Sequence, residues 1–170
     1  MSIQIQCPLC GQGFTDGRAY AATSDVAFPP GHFLYEYCDT GLHLDCLERW
    51  QHRLEFAKGY YDLYRTNFAA RGTLLHETPD WILGCGRAPV GKDPYYVKVV
   101  LLEWPIRLHT AWESWESFVA SGFEKDLEKG ALEKARAAIQ EVRQIAPTLS
   151  SLGELRRLCQ ERHGHKSDRN

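Results

Sequence analysis

The chain has 170 residues, an apolar fraction of 44%, an aromatic fraction of 12% and a formal net charge of -2. That supplies one hydrophobic core, and 20 basic against 22 acidic residues argue against a polybasic nucleic-acid binder. No uninterrupted apolar run approaches the ~20 residues that span a bilayer, and the N-terminus MSIQIQCPLC lacks the charged flank and apolar core of a secretory signal. The expectation is a soluble cytoplasmic protein whose six cysteines are thiols or metal ligands rather than disulfides.

Residues 3–6 alternate apolar and polar side chains, as a short strand leading into the CPLC turn would. GRAYAATSDVAF and FLYEYC are two further strand candidates, parted by the stiff turn PPGH. A helix is expected over residues 44–64, where Leu47, Trp50, Leu54, Ala57, Tyr61 and Tyr64 recur at helical period. WILGC and PYYVKVVLLEW then read as strands, the second apolar on both faces and therefore central. Three capping-box patterns predict helix starts: Thr110 with Glu113, Ser121 with Glu124, and Ser151 with Glu154. The helix over 124–146 carries Leu132, Ala135, Ile139, Val142 and Ala146 on one face, a shorter one covers 152–162, and residues 164–170 form a polar tail.

Cys7 and Cys10 are two residues apart, and so are His43 and Cys46. A Cys-x2-Cys turn offers two thiolates from a tight knuckle. A His-x2-Cys pair at a helix start places two more donors on one side of the first turn. Together they form one complete Cys3His set, and zinc is the metal such sulfur-rich tetrahedral sites favour. The order of knuckle, hairpin and helix is that of a treble clef. Cys38 stands as a substitute ligand for His43, as a fifth sulfur, or as a half-buried free thiol, the last being favoured; Cys85 and Cys159 lack ligand-spaced companions and read as small apolar residues.

Cys7-Pro8-Leu9-Cys10, then Cys38, His43, Cys46, Leu47 and Trp50, resembles the first two-thirds of a RING-H2 finger over residues 7–50. The family's next histidine would fall at Thr40, and its closing Cys-Pro-x-Cys pair does not follow Trp50. The resemblance therefore implies a half-RING with one zinc. It also implies Leu9 and Trp50 as positions that contact a conjugating enzyme, although core packing explains both equally well.

Three thiolates and an imidazole fill all four corners of a tetrahedron, which favours a structural ion over a catalytic one. Among catalytic patterns, phosphate loops, dinucleotide fingerprints and HExxH are missing. His76 with Glu77, His109 near Asp93 or Glu103, and the GCG around Cys85 are thin candidates for chemistry. Arg49, His52, Arg53 and Lys58 read as a solvated helix face, interleaved as they are with Glu48 and Glu55.

The expectation is an α+β protein. A zinc-binding module over 1–66, of β-hairpin plus helix, precedes an α+β portion over 67–163 with a small sheet centred on 95–104 and C-terminal helices. Its expected role is non-enzymatic protein binding, as an adaptor or as an inhibitor that neutralises a partner in a bacterial cell. The binding surface is either the zinc module or the helix AWESWESF, whose Trp112, Trp115 and Phe118 share a face that packing would also explain. A RING-like recruiter acting through Leu9 and Trp50, and a hydrolase using Cys85, are the alternatives.

Overall fold

The computed structural model describes residues 6–15, 17–23, 25–86, 96–122 and 129–167. Among these the chain is an α+β mixture of five helices and two antiparallel sheets.

In the first sheet β1 (Tyr20–Ala22) pairs with β2 (Gly41–His43), setting Tyr20 opposite His43 and Ala22 opposite Gly41. The pairing is only three residues long, because Thr23 closes it. Its hydroxyl lies 3.0 Å from the Thr40 carbonyl and 3.2 Å from the Tyr37 carbonyl, tying the ends of the intervening loop together. FLYEYC, expected as a strand, is instead a 3-10 turn at Tyr35–Tyr37. Leu34 is fully buried and Cys38 nearly so, four positions apart. The segment satisfies its amides within itself, as a tight helical turn does and a single strand does not. Local bonds such as Tyr35 N–H to the His32 carbonyl at 2.9 Å and Cys38 N–H to the Tyr35 carbonyl at 3.0 Å satisfy the backbone there.

The helix expected over 44–64 is two helices. The first, α1 (Leu44–Arg49), ends at Trp50, whose backbone is extended; α2 runs from Arg53 to Ala70. The break lets Trp50 swing its indole between Tyr37 and Phe56, at centroid distances of 4.6 and 5.3 Å. It also shifts the phase of the apolar stripe. Ala57, Tyr61 and Tyr64 are buried as expected, joined by Phe56, Tyr60 and Phe68, while Leu54 turns outward and is 55% exposed. Gly72, at φ +62°, ends the helix in the left-handed region that glycine adopts without steric penalty.

The second sheet is a meander of β3 (Leu74–Glu77), β4 (Trp81–Gly86), β5 (Tyr96–Leu101) and β6 (Arg107–Ala111), each strand antiparallel to the next. β5 is interior, as the apolar run predicts, and every residue of β4 is buried. The edge strands β3 and β6 carry mixed sequences, LLHE and RLHTA, with too little alternation to announce them. α2 lies on this sheet with Phe68 against Gly84, where an added Cβ would sit 2.3 Å from the ring.

The remaining helices are α3 (Trp115–Ser117), continued by a π turn over Phe118–Gly122, then α4 (Lys129–Ile145) and α5 (Leu149–Ser167). Ala135, Ile139, Val142 and Ala146 are buried as their spacing predicts. The capping boxes fare differently. Thr110 belongs to β6 and Ala111 caps the turn that follows; Ser121 with Glu124 reaches outside the described residues. Near Ser151 the reciprocal cap exists but sits three residues earlier. Thr148 N–H donates to Ser151 Oγ at 3.0 Å and Ser151 N–H donates to Thr148 Oγ1 at 3.2 Å, which frees Glu154 to pair with Arg157. The helix consequently begins at Leu149 and continues to Ser167.

One apolar core runs from Cys7 and Leu42 through Phe56 and Val99 to Leu152. Because Phe68 fills the space over Gly84, Gly84→Ala forces that buried ring to move. The substitution is expected to destabilise the protein by about 1–3 kcal/mol, read as a lowered urea midpoint at unchanged slope.

Candidate metal centre

Cys7, Cys10, His43 and Cys46 converge, with one ligand atom from each lying within 4.8 Å of all the others. Local geometry explains the first pair. Cys7 N–H donates to the Gln12 carbonyl at 2.9 Å, while the Cys10 and Gly11 amides turn back on the Cys7 carbonyl at 3.3 and 2.7 Å. Gly11, at φ +71°, closes this knuckle. The second pair straddles the junction of β2 and α1. His43 ends the strand in an extended conformation, and Cys46 lies in the first helical turn, on the same side.

Packing joins the two halves. The Phe14 ring, just past the knuckle, lies 4.7 Å from the His43 ring and 4.9 Å from Tyr20 between centroids. It also covers Gly41, where a Cβ would come within 2.7 Å of it. The His43 amide lies 3.5 Å from Cys7 Sγ, and His43 Nδ1 is 3.4 Å from Cys10 Sγ. A tetrahedral ion bound at ~2.0–2.3 Å would need ligand separations of ~3.5–3.8 Å. The four atoms therefore fit a single ion with small side-chain adjustments. Cys7 and His43 are fully buried, Cys46 is half-buried and Cys10 is exposed.

Arg18 and Asp45 complete the surroundings, and no ligand spacing in the sequence points to either. The Arg18 guanidinium lies 3.9 Å from both Cys10 Sγ and Cys46 Sγ, and 3.6 Å from Asp45 Oδ2. A second cation, Arg49, binds the same carboxylate oxygen at 2.9 Å. Burial opposes charge on Asp45, but Arg18, the Cys46 amide and Arg49 outweigh it and hold the carboxyl below its usual range. The thiols split. The Gln12 amide, against the opposing effect of burial and helped by His43, Cys46 and Arg18, lowers Cys10 to about 6. Burial, then the Cys10 hydrogen bond and the nearby Cys7, Asp45 and Cys10 charges, push Cys46 up to about 12. Three sulfurs this close cannot all ionise unaided, so a bound cation would supply the missing positive charge.

The other singled-out residues lie elsewhere. Cys38 is outside the four-atom cluster; its thiol is nearly buried and donates to the Leu34 carbonyl at 3.8 Å. Cys85 is 1% exposed in the middle of the sheet, opposite Val97, and so presents no thiol to a substrate. Cys159 is buried against the Gly72 and Leu74 carbonyls at 3.4 and 3.1 Å. Trp115, one of the two candidate partner-binding tryptophans of AWESWESF, is fully buried and its indole N–H donates to the Ala146 carbonyl at 2.8 Å, so of the two readings of that face, core or anchor, this residue takes the core. Leu9, Trp50 and Trp112 keep part of their surface. Glu77 is ion-paired with Arg65 and Lys58 with Asp62. No helix among the described residues is long and apolar enough to cross a membrane.

Binding a cation at neutral pH displaces the Cys46 proton, so apparent metal affinity should rise with pH between about 6 and 8, as competition titration with a chromogenic chelator would show. Arg18→Ala should weaken metal binding about 10–100-fold, as loss of an outer partner does elsewhere. Cys38→Ser should leave the metal stoichiometry at one per chain in elemental analysis. Compared with protein families, curated proteins and solved structures, the chain matches none of them.

Proposed function

We propose that this is a non-enzymatic protein-binding protein, an adaptor or an inhibitor, whose N-terminal module is held by one structural zinc ion. The convergence of Cys7, Cys10, His43 and Cys46 carries this reading. Four protein donors leave no corner for water, and strong thiolate donation dampens the Lewis acidity that a catalytic ion needs. Sulfur-rich tetrahedral sites favour zinc among the available divalent ions. Six free cysteines suit a reducing cytoplasm.

Surface chemistry supports a protein partner. The loop between β1 and β2 exposes Phe33 and Tyr35, at 52% and 41%. It continues through edge-to-face rings to His52 and Trp50: Phe33 to His52 at 5.0 Å and Trp50 to His52 at 5.9 Å. Aromatic side chains at such a rim are frequent anchors in protein interfaces. The loop joins β1 to β2, and β2 ends on the ligand His43, so zinc would steady one of its two anchors.

Zinc binding of this kind is worth on the order of 10–16 kcal/mol of apparent free energy in small peptides. The purified chain should contain one zinc per molecule, and a strong chelator should unfold the β1–β2 hairpin and α1. Protein without stoichiometric zinc that keeps its near-ultraviolet dichroism would refute the structural role. Phe33→Ala with Tyr35→Ala should then abolish co-purification of a partner at unchanged zinc content.

One observation favours a second reading, in which the half-RING recruits a conjugating enzyme. Leu9 directly precedes the ligand Cys10, Trp50 follows Cys46 by four residues, and both keep part of their surface. On that reading Leu9→Ala and Trp50→Ala each remove recruitment without loss of metal, and recruitment that survives both changes would eliminate it.

A further inference from the structure

Between the second sheet and α4 lies a cavity of about 110 Å³. Trp81, the first residue of β4, and Leu101, the last of β5, are paired neighbours on adjacent strands, and both line it. The Leu102 amide donates to the Asp80 carbonyl at 2.8 Å and fixes the strand ends that form its floor. Lys134, Ala138 and Glu141 recur along one face of α4 and form its roof. Trp81 and Trp104 are 2% and 3% exposed, so the two indoles lie deep, whereas Glu103 and Lys134, at 46% and 56%, stand at the mouth.

The lining carries more acidic than basic side chains. Three carboxylates, Asp80, Glu103 and Glu141, face the space with one ammonium, Lys134. Glu141 is held by the Trp81 indole N–H at 2.7 Å, which orients its carboxylate without neutralising it. Indole faces attract cations, and Trp104 already carries one, the Arg53 guanidinium 4.4 Å from its ring centroid. The resident Lys134 ammonium lies 3.1 Å from Glu103 and shows the pairing that the mouth permits. The volume accommodates a head group on a slim stem but not a nucleoside or a lipid.

We propose that this cavity binds an organic monocation, an alkylammonium group, with the stem against the apolar wall to which Trp81, Leu101, Trp104 and Ala138 contribute and the charge among the carboxylates of Asp80, Glu103 and Glu141. This goes beyond the zinc-dependent reading and stands without it, because no zinc ligand lines the cavity. The ammonium belongs either to the lysine side chain of a protein or to a free amine, and the chemistry is the same.

The test uses the full-length, ¹⁵N-labelled, zinc-loaded chain titrated with n-butylammonium chloride at constant ionic strength. The indole N–H signals of Trp81 and Trp104 should shift saturably, with a Kd on the order of 1–10 mM for so small a ligand. n-Butanol and butyrate should bind at least ~10-fold more weakly, because the charge supplies the selectivity. Glu141→Gln keeps an acceptor for the Trp81 indole and should weaken binding about 10-fold. Lys134→Gln removes the competing ammonium and should tighten binding. Ala137→Leu, at an exposed lining position, should block it. The last two lie on the surface, so both remain informative if the Glu141 variant does not fold. No saturable shift up to ~100 mM, well above the expected range, or butanol binding as tightly as the amine, would overturn the proposal. A capped Gly-Lys-Gly peptide separates the sources: affinity equal to that of the amine assigns the group to a protein lysine, and binding of the amine alone assigns it to a free amine.

Discussion

Two short segments without cores of their own meet at four side-chain atoms, and the N-terminal part of the molecule depends on that meeting. The knuckle around Cys7 and Cys10 makes one isolated bridge, between Gln6 and Gly13. The β1–β2 ladder spans three residues. Hairpins this small are marginal in water by themselves. The cysteines and His43 bring the knuckle against the β2–α1 junction, and the Phe14 ring seals the contact over Gly41 and His43. The electrostatics follow from the same proximity. Burial raises the Cys46 thiol and the Gln12 amide lowers that of Cys10, the neighbouring thiol adding to each shift, and Arg18 stands against both sulfurs.

α2 carries that arrangement into the rest of the fold. One end of the helix presents Phe56 to Phe28, Tyr37 and Trp50, rings that belong to the β1–β2 loop and the helix break. Farther along, Phe68 lies on Gly84 of β4 and Tyr61 donates to the Thr78 carbonyl at 3.1 Å. A single amphipathic helix thus serves both sheets. This explains why aromatic residues dominate its buried face: rings fill wide, uneven gaps that aliphatic side chains would leave open. Opposite α2, α4 covers the sheet end with small residues, Ala135 and Ala138 among them. Small residues there allow close approach in one place and leave the space beside Trp81 and Trp104 in another.

Burial separates the tryptophans by role in a way that their identity does not. Trp115 is an interior residue tied to the end of α4 by its N–H. Trp81 and Trp104 are almost as buried, yet they border a cavity. Trp50 and Trp112 retain exposed surface. An indole satisfies a core, a cavity wall or an interface equally well as long as its N–H finds a partner or water.

The sequence by itself determined the four candidate ligands, the interior position of β5 and the buried face of α4. Ligand spacing, an uninterrupted apolar run and a 3.6-residue period are properties of neighbouring residues, and the chain carries them wherever it goes. Only tertiary structure decided that FLYEYC turns instead of extending, that the helix breaks at Trp50, and that the cap of α5 uses Thr148 with Ser151. The first two choices depend on which distant surface is waiting: Leu34 and Cys38 are buried in the core, and Trp50 packs on Tyr37 and Phe56; at the cap the bonds are local, with the distant Glu116 carboxylate accepting from the Leu149 N–H at 3.0 Å. The same holds for Arg18 beside the thiols and for the cavity at Trp81. A guanidinium eight residues past a cysteine, or carboxylates on three separate segments, have no shared local pattern; they become neighbours when the backbone folds.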